Sequence, residues 1–189
     1  KFLVPLASGK AIASFGLTEP DAGSDAGGTK TTAILEGDEF VINGEKCWIT
    51  NASYAETITI TAVTGKNEQG KKIISAIIVP ADTPGLTITR PYEKMGVRAS
   101  DTTQIVLDNV RVPKKNILGD SKKGFKQFLY TLDGGRISIA ALAVGIAQAA
   151  FDRALKYAKE RVQFGKSISS FQAIQFKLAD MAMEIELAR

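Results

Sequence analysis

The chain has 189 residues, 44% of them hydrophobic, with 24 Lys+Arg against 20 Asp+Glu, a single cysteine and no histidine. That length and apolar share allow one large domain or two small ones, each with a real core. The net charge of +4 comes from lysines scattered among acids, not from a basic block, so it supports loose attraction to phosphate-bearing ligands and no nucleic-acid surface. Zinc sites, Ser-His-Asp triads and disulfide frameworks are excluded, and no metal is expected. The lone Cys47, beside Trp48, reads as a small buried hydrophobe and points weakly to a reducing compartment. No apolar run between polar flanks reaches the ~20 residues of a membrane span, and the N-terminus lacks a signal-peptide pattern. A start at Lys1 and a finish at Arg189 inside a helical pattern suggest an excerpt of a longer protein.

In chain order, residues 1–10 read as the tail of an element packed elsewhere, with Phe2 to Leu6 closed by Ser8-Gly9. Residues 11–120 read as a β domain. Gly37-Asp38 joins a strand from Thr31 to Leu35 with one from Phe40 to Ile42, and Asn43-Gly44 leads as a turn into Glu45 to Thr50. Thr57 to Thr61 alternates strictly and is returned by the loop Gly65 to Lys72 to Ile73 through Val79. Leu86 to Thr89 and Gln104 to Val112 bring the count to about seven short strands, the spacing of an antiparallel barrel or sandwich.

Residues 121–189 switch to helical period, as the start of a helical bundle. Phe125, Phe128, Leu129 and Leu132 form one run, Gly134-Gly135 interrupts it, and a second begins at Arg136. From Ile137 to Ala150 the pattern is apolar on every side, so other helices or a second subunit must cover it. The helix is expected to end at Gly165, and Ser169 or Ser170 to cap a last helix carrying Ile174, Leu178, Met181 and Ile185. The fold class is thus α+β, a β-barrel or sandwich followed by a truncated bundle.

One stretch fits neither period. Phe15 to Asp25 combines Gly16 and Gly23, which let backbone approach a bound group, with Pro20 and the hydroxyls of Thr18 and Ser24. Trp48-Ile49-Thr50 adds a flat ring and another hydroxyl at a strand end. Together these suit a flat heterocycle, although each alone reads equally as a surface turn or a core aromatic. The run Gly23 to Gly28 has phosphate-loop glycine spacing, but Thr29 intervenes before Lys30, and no Gly-x-Gly-x-x-Gly follows a strand.

Gly16-Leu17-Thr18-Glu19, Ala22-Gly23-Ser24-Asp25 and Trp48-Ile49-Thr50 resemble the acyl-CoA dehydrogenase family. Met95 to Thr102, Leu132-Asp133-Gly134-Gly135-Arg136 and Arg161-Val162-Gln163-Phe164-Gly165 with Gln172 extend the likeness over nearly the whole chain, most similar to the short-chain or butyryl type. The resemblance implies FAD, lined by Phe15, Leu17, Thr18, Ser24, Trp48, Ile49 and Thr50, with Phe15 only packing. It implies that Arg161, Gln163, Phe164, Phe171 and Gln172 reach the pyrophosphate and adenine of an FAD held by a neighbouring subunit, in a dimer or tetramer. Arg161 near a helix end also has an ordinary capping explanation.

For an acyl-CoA substrate the resemblance points to Ser24, Thr64, Asp133 and Arg136, the last two also readable as a local ion pair. It implies oxidation to a trans-2-enoyl-CoA, an electron-transferring flavoprotein as partner, and a bacterial cytoplasm or mitochondrial matrix. It gives Arg98, Ser100 and Thr102 no role. The family's glutamate base lies beyond the position of Arg189 or, in a minority, at Gly135, so no catalytic base is expected here, and Glu160, Glu184 and Glu186 read as solvated faces. A non-catalytic flavin or acyl-CoA module and an oxygen-using acyl-CoA oxidase are the alternatives.

Overall fold

A computed structural model describes residues 1–189. The chain divides into two compact units, Lys1–Leu129 and Tyr130–Arg189.

The first unit opens with a five-residue helix α1 (Leu3–Ala7), none of whose residues is buried. Seven strands follow: β1 (Ala13–Gly16), β2 (Thr32–Glu36), β3 (Glu39–Thr50), β4 (Thr57–Lys66), β5 (Lys72–Pro80), β6 (Leu86–Ile88) and β7 (Thr102–Pro113). They form one curled sheet in the order β1-β4-β2-β3-β7-β6, with β5 on β4. The strand count agrees with the sequence, but the sheet is mixed: β1 pairs parallel with β4 through Ala13–Gly16, and β2 meets β4 parallel at Thr32↔Val63. Alternation marks a strand's faces and says nothing of its neighbour's direction, so these pairings were invisible to it. Ile42, Ile58, Ile60, Ile77, Val79 and Ile105 are fully or almost fully buried and make the centre of the core.

Asn43-Gly44 is not a turn. β3 runs through it without a break because Gly44 passes against Thr31, where a Cβ would lie 2.8 Å from the Thr31 Cα, and its φ of +149° suits glycine. Opposite Gly44, β7 carries one extra residue between Leu107 and Val110, a bulge that includes Asn109 at φ 52°. A second bulge falls between Lys46 and Ile49, this time on β3.

Helix α2 (Gly124–Glu160) begins against β5, its Gly124 so close that a Cβ would lie 2.2 Å from the Ala76 amide nitrogen. Gly134-Gly135 does not interrupt it: two glycines each weaken a helix by about 1 kcal/mol, which a helix of 37 residues absorbs. By length and composition alone α2 is long and apolar enough to cross a membrane. Its uncharged span from Ile137 to Phe151, between Arg136 and Asp152, extends roughly 22 Å at 1.5 Å per residue, short of the ~30 Å hydrocarbon core.

In the second unit α2 stops at Glu160, earlier than Gly165, and a small hairpin of β8 (Val162–Gln163) and β9 (Lys166–Ser167) follows. Phe164 and Gly165, at φ 51° and 75°, are its two-residue turn. Helix α3 (Gln172–Ala188) starts from Phe171 without a side-chain cap. The expected cap serines turn inward on the preceding loop: Ser170 Oγ donates to the Ser167 carbonyl and Ser169 Oγ pairs with Ser167 Oγ.

Candidate functional site

In the first unit, the loop after β1 is fixed from beneath by a buried ion pair that the sequence reading missed. Lys46 is fully buried, and its ammonium donates to Glu19 Oε1 at 2.7 Å, to Thr61 Oγ1 at 2.9 Å and to the Leu17 carbonyl at 3.2 Å, which uses all three protons. Glu19 in turn accepts the amides of Lys30 at 2.7 Å and Thr31 at 3.1 Å. Burial works against the charge on Glu19, but the hydrogen bonds from Lys46 and the two amides outweigh it and hold the carboxyl below its ordinary range. Burial lowers the Lys46 pKa, partly offset by Glu19. The signal was faint: a lysine between Glu45 and Cys47 looks like a solvent-facing strand residue, although alternation from Phe40 and Ile42 puts position 46 on the inner face.

The same ties set the edge of a candidate site. The Cys47 amide donates to the Thr18 carbonyl at 2.9 Å, and Ser14 Oγ donates to the Thr50 carbonyl at 2.8 Å, so the 15–18 and 47–50 segments lie side by side. The Thr18, Ser24 and Thr50 hydroxyls make no hydrogen bond within the chain, whereas the side chains of Leu17 and Ile49 are buried. Phe15 stacks on Phe128, ring centroids 4.1 Å apart, consistent with a packing role. Cys47 is buried, and burial raises its thiol pKa, as befits an inert thiol.

Trp48 is the exception to strand geometry. It occupies the β3 bulge at φ 60°, 60% exposed, between buried Cys47 and buried Ile49. A bulky residue in the left-handed region stores strain on the order of 1–3 kcal/mol, and bulges of this kind re-aim a side chain. The indole is not a core aromatic; it stands out of the sheet, with the Tyr92 ring against it at 4.4 Å.

The Met95 to Thr102 motif, without a role from sequence, braces this region. Asp101 accepts the Ser53 amide and hydroxyl, both at 3.0 Å, and its carbonyl accepts the Asn51 amide. Lys94 Nζ donates to the Ser100 carbonyl and to Thr102 Oγ1, and Arg98 Nε donates to the Lys94 carbonyl. Thr64 lies elsewhere on the sheet, its hydroxyl 2.6 Å from Ser75 Oγ, which donates to the Ser121 carbonyl.

In the second unit the hairpin gathers the other group. The Ile168 amide donates to the Arg161 carbonyl, Phe164 is 90% exposed in the turn, and Phe171 meets it edge-on at 6.1 Å with Lys166 Nζ over its face. The Arg161 guanidinium is exposed and forms no ion pair, and Gln163 and Gln172 are exposed as well. Asp133 and Arg136 make an exposed pair at 3.6 Å on α2, the kind that contributes little. The separation of 25 positions from Arg136 to Arg161 corresponds to roughly 38 Å of helix, so one copy of the chain does not bring these two groups together.

A profile for the middle domain of acyl-CoA dehydrogenases matches residues 14–110, and one for the C-terminal domain matches residues 122–189. The chain belongs to the acyl-CoA dehydrogenase family. It is 78% identical over 187 residues to a probable acyl-CoA dehydrogenase of Bacillus subtilis, covering 99% of this chain and 49% of that protein. It is 49% identical over 189 residues to a short-chain specific acyl-CoA dehydrogenase of Clostridium acetobutylicum, covering all of this chain and 50% of that one. Butyryl-CoA dehydrogenase of Megasphaera elsdenii superposes with a TM-score of 0.93 at 48% identity, over 98% of this chain and 49% of that structure. The chain thus spans about half the length of the curated relatives it matches.

Proposed function

We propose that residues 1–189 are the flavin-facing part of an FAD-dependent acyl-CoA dehydrogenase acting on short acyl thioesters. The observation that carries the reading is Trp48: an exposed indole held at positive φ by a bulge, next to the unpaired hydroxyls of Thr18 and Thr50. That set fits a flat heterocycle with carbonyl acceptors, so these residues, with the Phe15 to Ser24 backbone, would hold the flavin ring. Bound FAD would accept the β-hydrogen of the acyl-CoA as hydride while a carboxylate takes the α-proton, leaving a trans-2-enoyl-CoA. The chain's own part is to orient. Thr18 and Thr50 would donate to ring acceptors, Trp48 would cover the ring and exclude water, and the Lys46–Glu19 pair keeps the 17–19 backbone from shifting.

Exposed Arg161, with Phe164, Phe171, Gln163 and Gln172, would hold a pyrophosphate and adenine belonging to the flavin of a second copy, since an arginine fork matches phosphate oxygens. Ser24, Thr64, Asp133 and Arg136 are assigned to the acyl-CoA. Gly135 offers no side chain, and Glu160, Glu184 and Glu186 lie exposed on helix faces, so the proton goes to a carboxylate outside this set. Residues 11–120 and 121–189 are read as the two domains involved. Short-chain relatives support a short acyl group, an electron-transferring flavoprotein is the assigned acceptor, and bacterial cytoplasm or mitochondrial matrix is the assigned location.

The test is anaerobic addition of butyryl-CoA to the full-length, FAD-loaded protein. Loss of the flavin's visible absorbance is expected, with smaller loss for long-chain acyl-CoA; absorbance unchanged by any acyl-CoA contradicts the reading.

A further inference from the structure

Tyr92 belongs to none of the groups assigned above, yet it is the one aromatic ring paired with Trp48, at 4.4 Å between centroids and 34° between planes. Trp48 needs such a partner. Its backbone is in a bulge, its indole makes no hydrogen bond within the chain, and 60% of the residue is open to solvent, so little else limits its rotamer. Tyr92, by contrast, is anchored. Its amide donates to the Thr102 carbonyl at 2.9 Å, Thr102 pairs with Thr50 across β7 and β3, and Lys94 and Asp101 close the loop around these bonds. The strut thus starts two residues beyond Trp48 on β3 and returns a ring to Trp48 itself.

We infer that Tyr92 is the positioning residue that fixes the Trp48 indole, covering one face so that the other is presented, already oriented, to a planar ligand. The inference rests on the flavin reading above for the identity of that ligand. Pre-ordering the ring removes part of the conformational entropy lost on binding, so it acts on affinity and not on the fold. A residue at 92 that merely filled space would alter stability alone.

Trp48 is the sole tryptophan of the chain, which makes its emission a direct reporter. In the full-length protein stripped of FAD, with the emission of a Trp48→Phe variant subtracted to isolate this ring, Tyr92→Ala is expected to shift the Trp48 emission to the red and lower its anisotropy, and Tyr92→Phe to restore both. Titration with FAD, followed by quenching of that emission, is expected to show affinity reduced about 5- to 10-fold in Tyr92→Ala and unchanged in Tyr92→Phe. Emission and anisotropy unaltered by Tyr92→Ala overturn the inference, as does altered emission with undiminished FAD affinity. Failure of FAD to quench the wild-type protein overturns the flavin reading instead, while the comparison without FAD still decides whether Tyr92 holds the indole.

Discussion

The two units handle apolar surface in opposite ways. The β unit encloses its aliphatic residues, with Ile42, Ile58, Ile60, Ile77, Val79 and Ile105 hidden from solvent. In the unit from Tyr130 onward only Ala158 and Ile185 are buried among hydrophobic residues, while Ile137, Ile139, Leu142 and Ile146 of α2 stay open. Composition does not separate them, since both are rich in aliphatics. The difference is geometric: a curled sheet covers its own inner face, but an α-helix apolar all round needs neighbours on several sides. Each unit nevertheless exposes one aromatic at positive φ, Trp48 on the β3 bulge and Phe164 in the β8–β9 turn. Those are the places where strain is retained next to residues assigned to ligand contact.

The contrast can be broken most forcefully at Lys46. Lys46→Met leaves Glu19 buried without its counterion, and a loss of about 3–5 kcal/mol in urea unfolding of the β unit is expected, partly recovered when Glu19→Gln is added. Next come matched truncations. Ile60→Ala in the sheet is expected to cost about 2–5 kcal/mol, and Ile139→Ala on α2 no more than about 0.5 kcal/mol in the same assay, since only the former empties a packed site. An equal effect at both positions would erase the distinction between the units.

Gly44→Ala sharpens the picture within the sheet. The added methyl meets Thr31, and about 1–3 kcal/mol of destabilisation is expected from thermal unfolding. The smallest effect is that of pH. Because the Glu19 carboxyl is held below its ordinary value of 4.5, its stabilisation is complete above that pH and lost as the pH falls through the lower folded-state value. Urea midpoints measured from pH 7 down to 3 should therefore fall on the acid side, and Glu19→Gln should flatten that fall.

Much of the β unit was legible because alternation and turn residues are local signals: the hairpin at Gly37-Asp38 and the β4–β5 return lie where the sequence put them. What was hidden depends on pairing across the sheet. Alternation from Phe40 and Ile42 does put Lys46 on the inner face, but its partners Glu19 and Thr61 come from other parts of the sheet and its loops, and the continuity of β3 through Gly44 follows from Thr31, thirteen residues away. The α2 boundaries were misread for another reason: glycine lowers helix propensity, but a long helix tolerates it, and the true end came where a hairpin turn took over. Among the candidate site residues, sequence nominated the segments at 15–24 and 48–50, and could not show that Trp48 leaves the strand geometry or that Tyr92 meets it.

The most direct test uses Trp48→Gly, which keeps a residue suited to φ 60° and removes the ring. Wild-type and variant proteins are mixed with excess FAD and passed through a sizing column, and visible absorbance is read in the protein peak. Flavin retained by the wild type and lost at least 10-fold by the variant is the expected result. Equal retention by both would contradict the assignment of the bulged indole as the surface that holds the flavin.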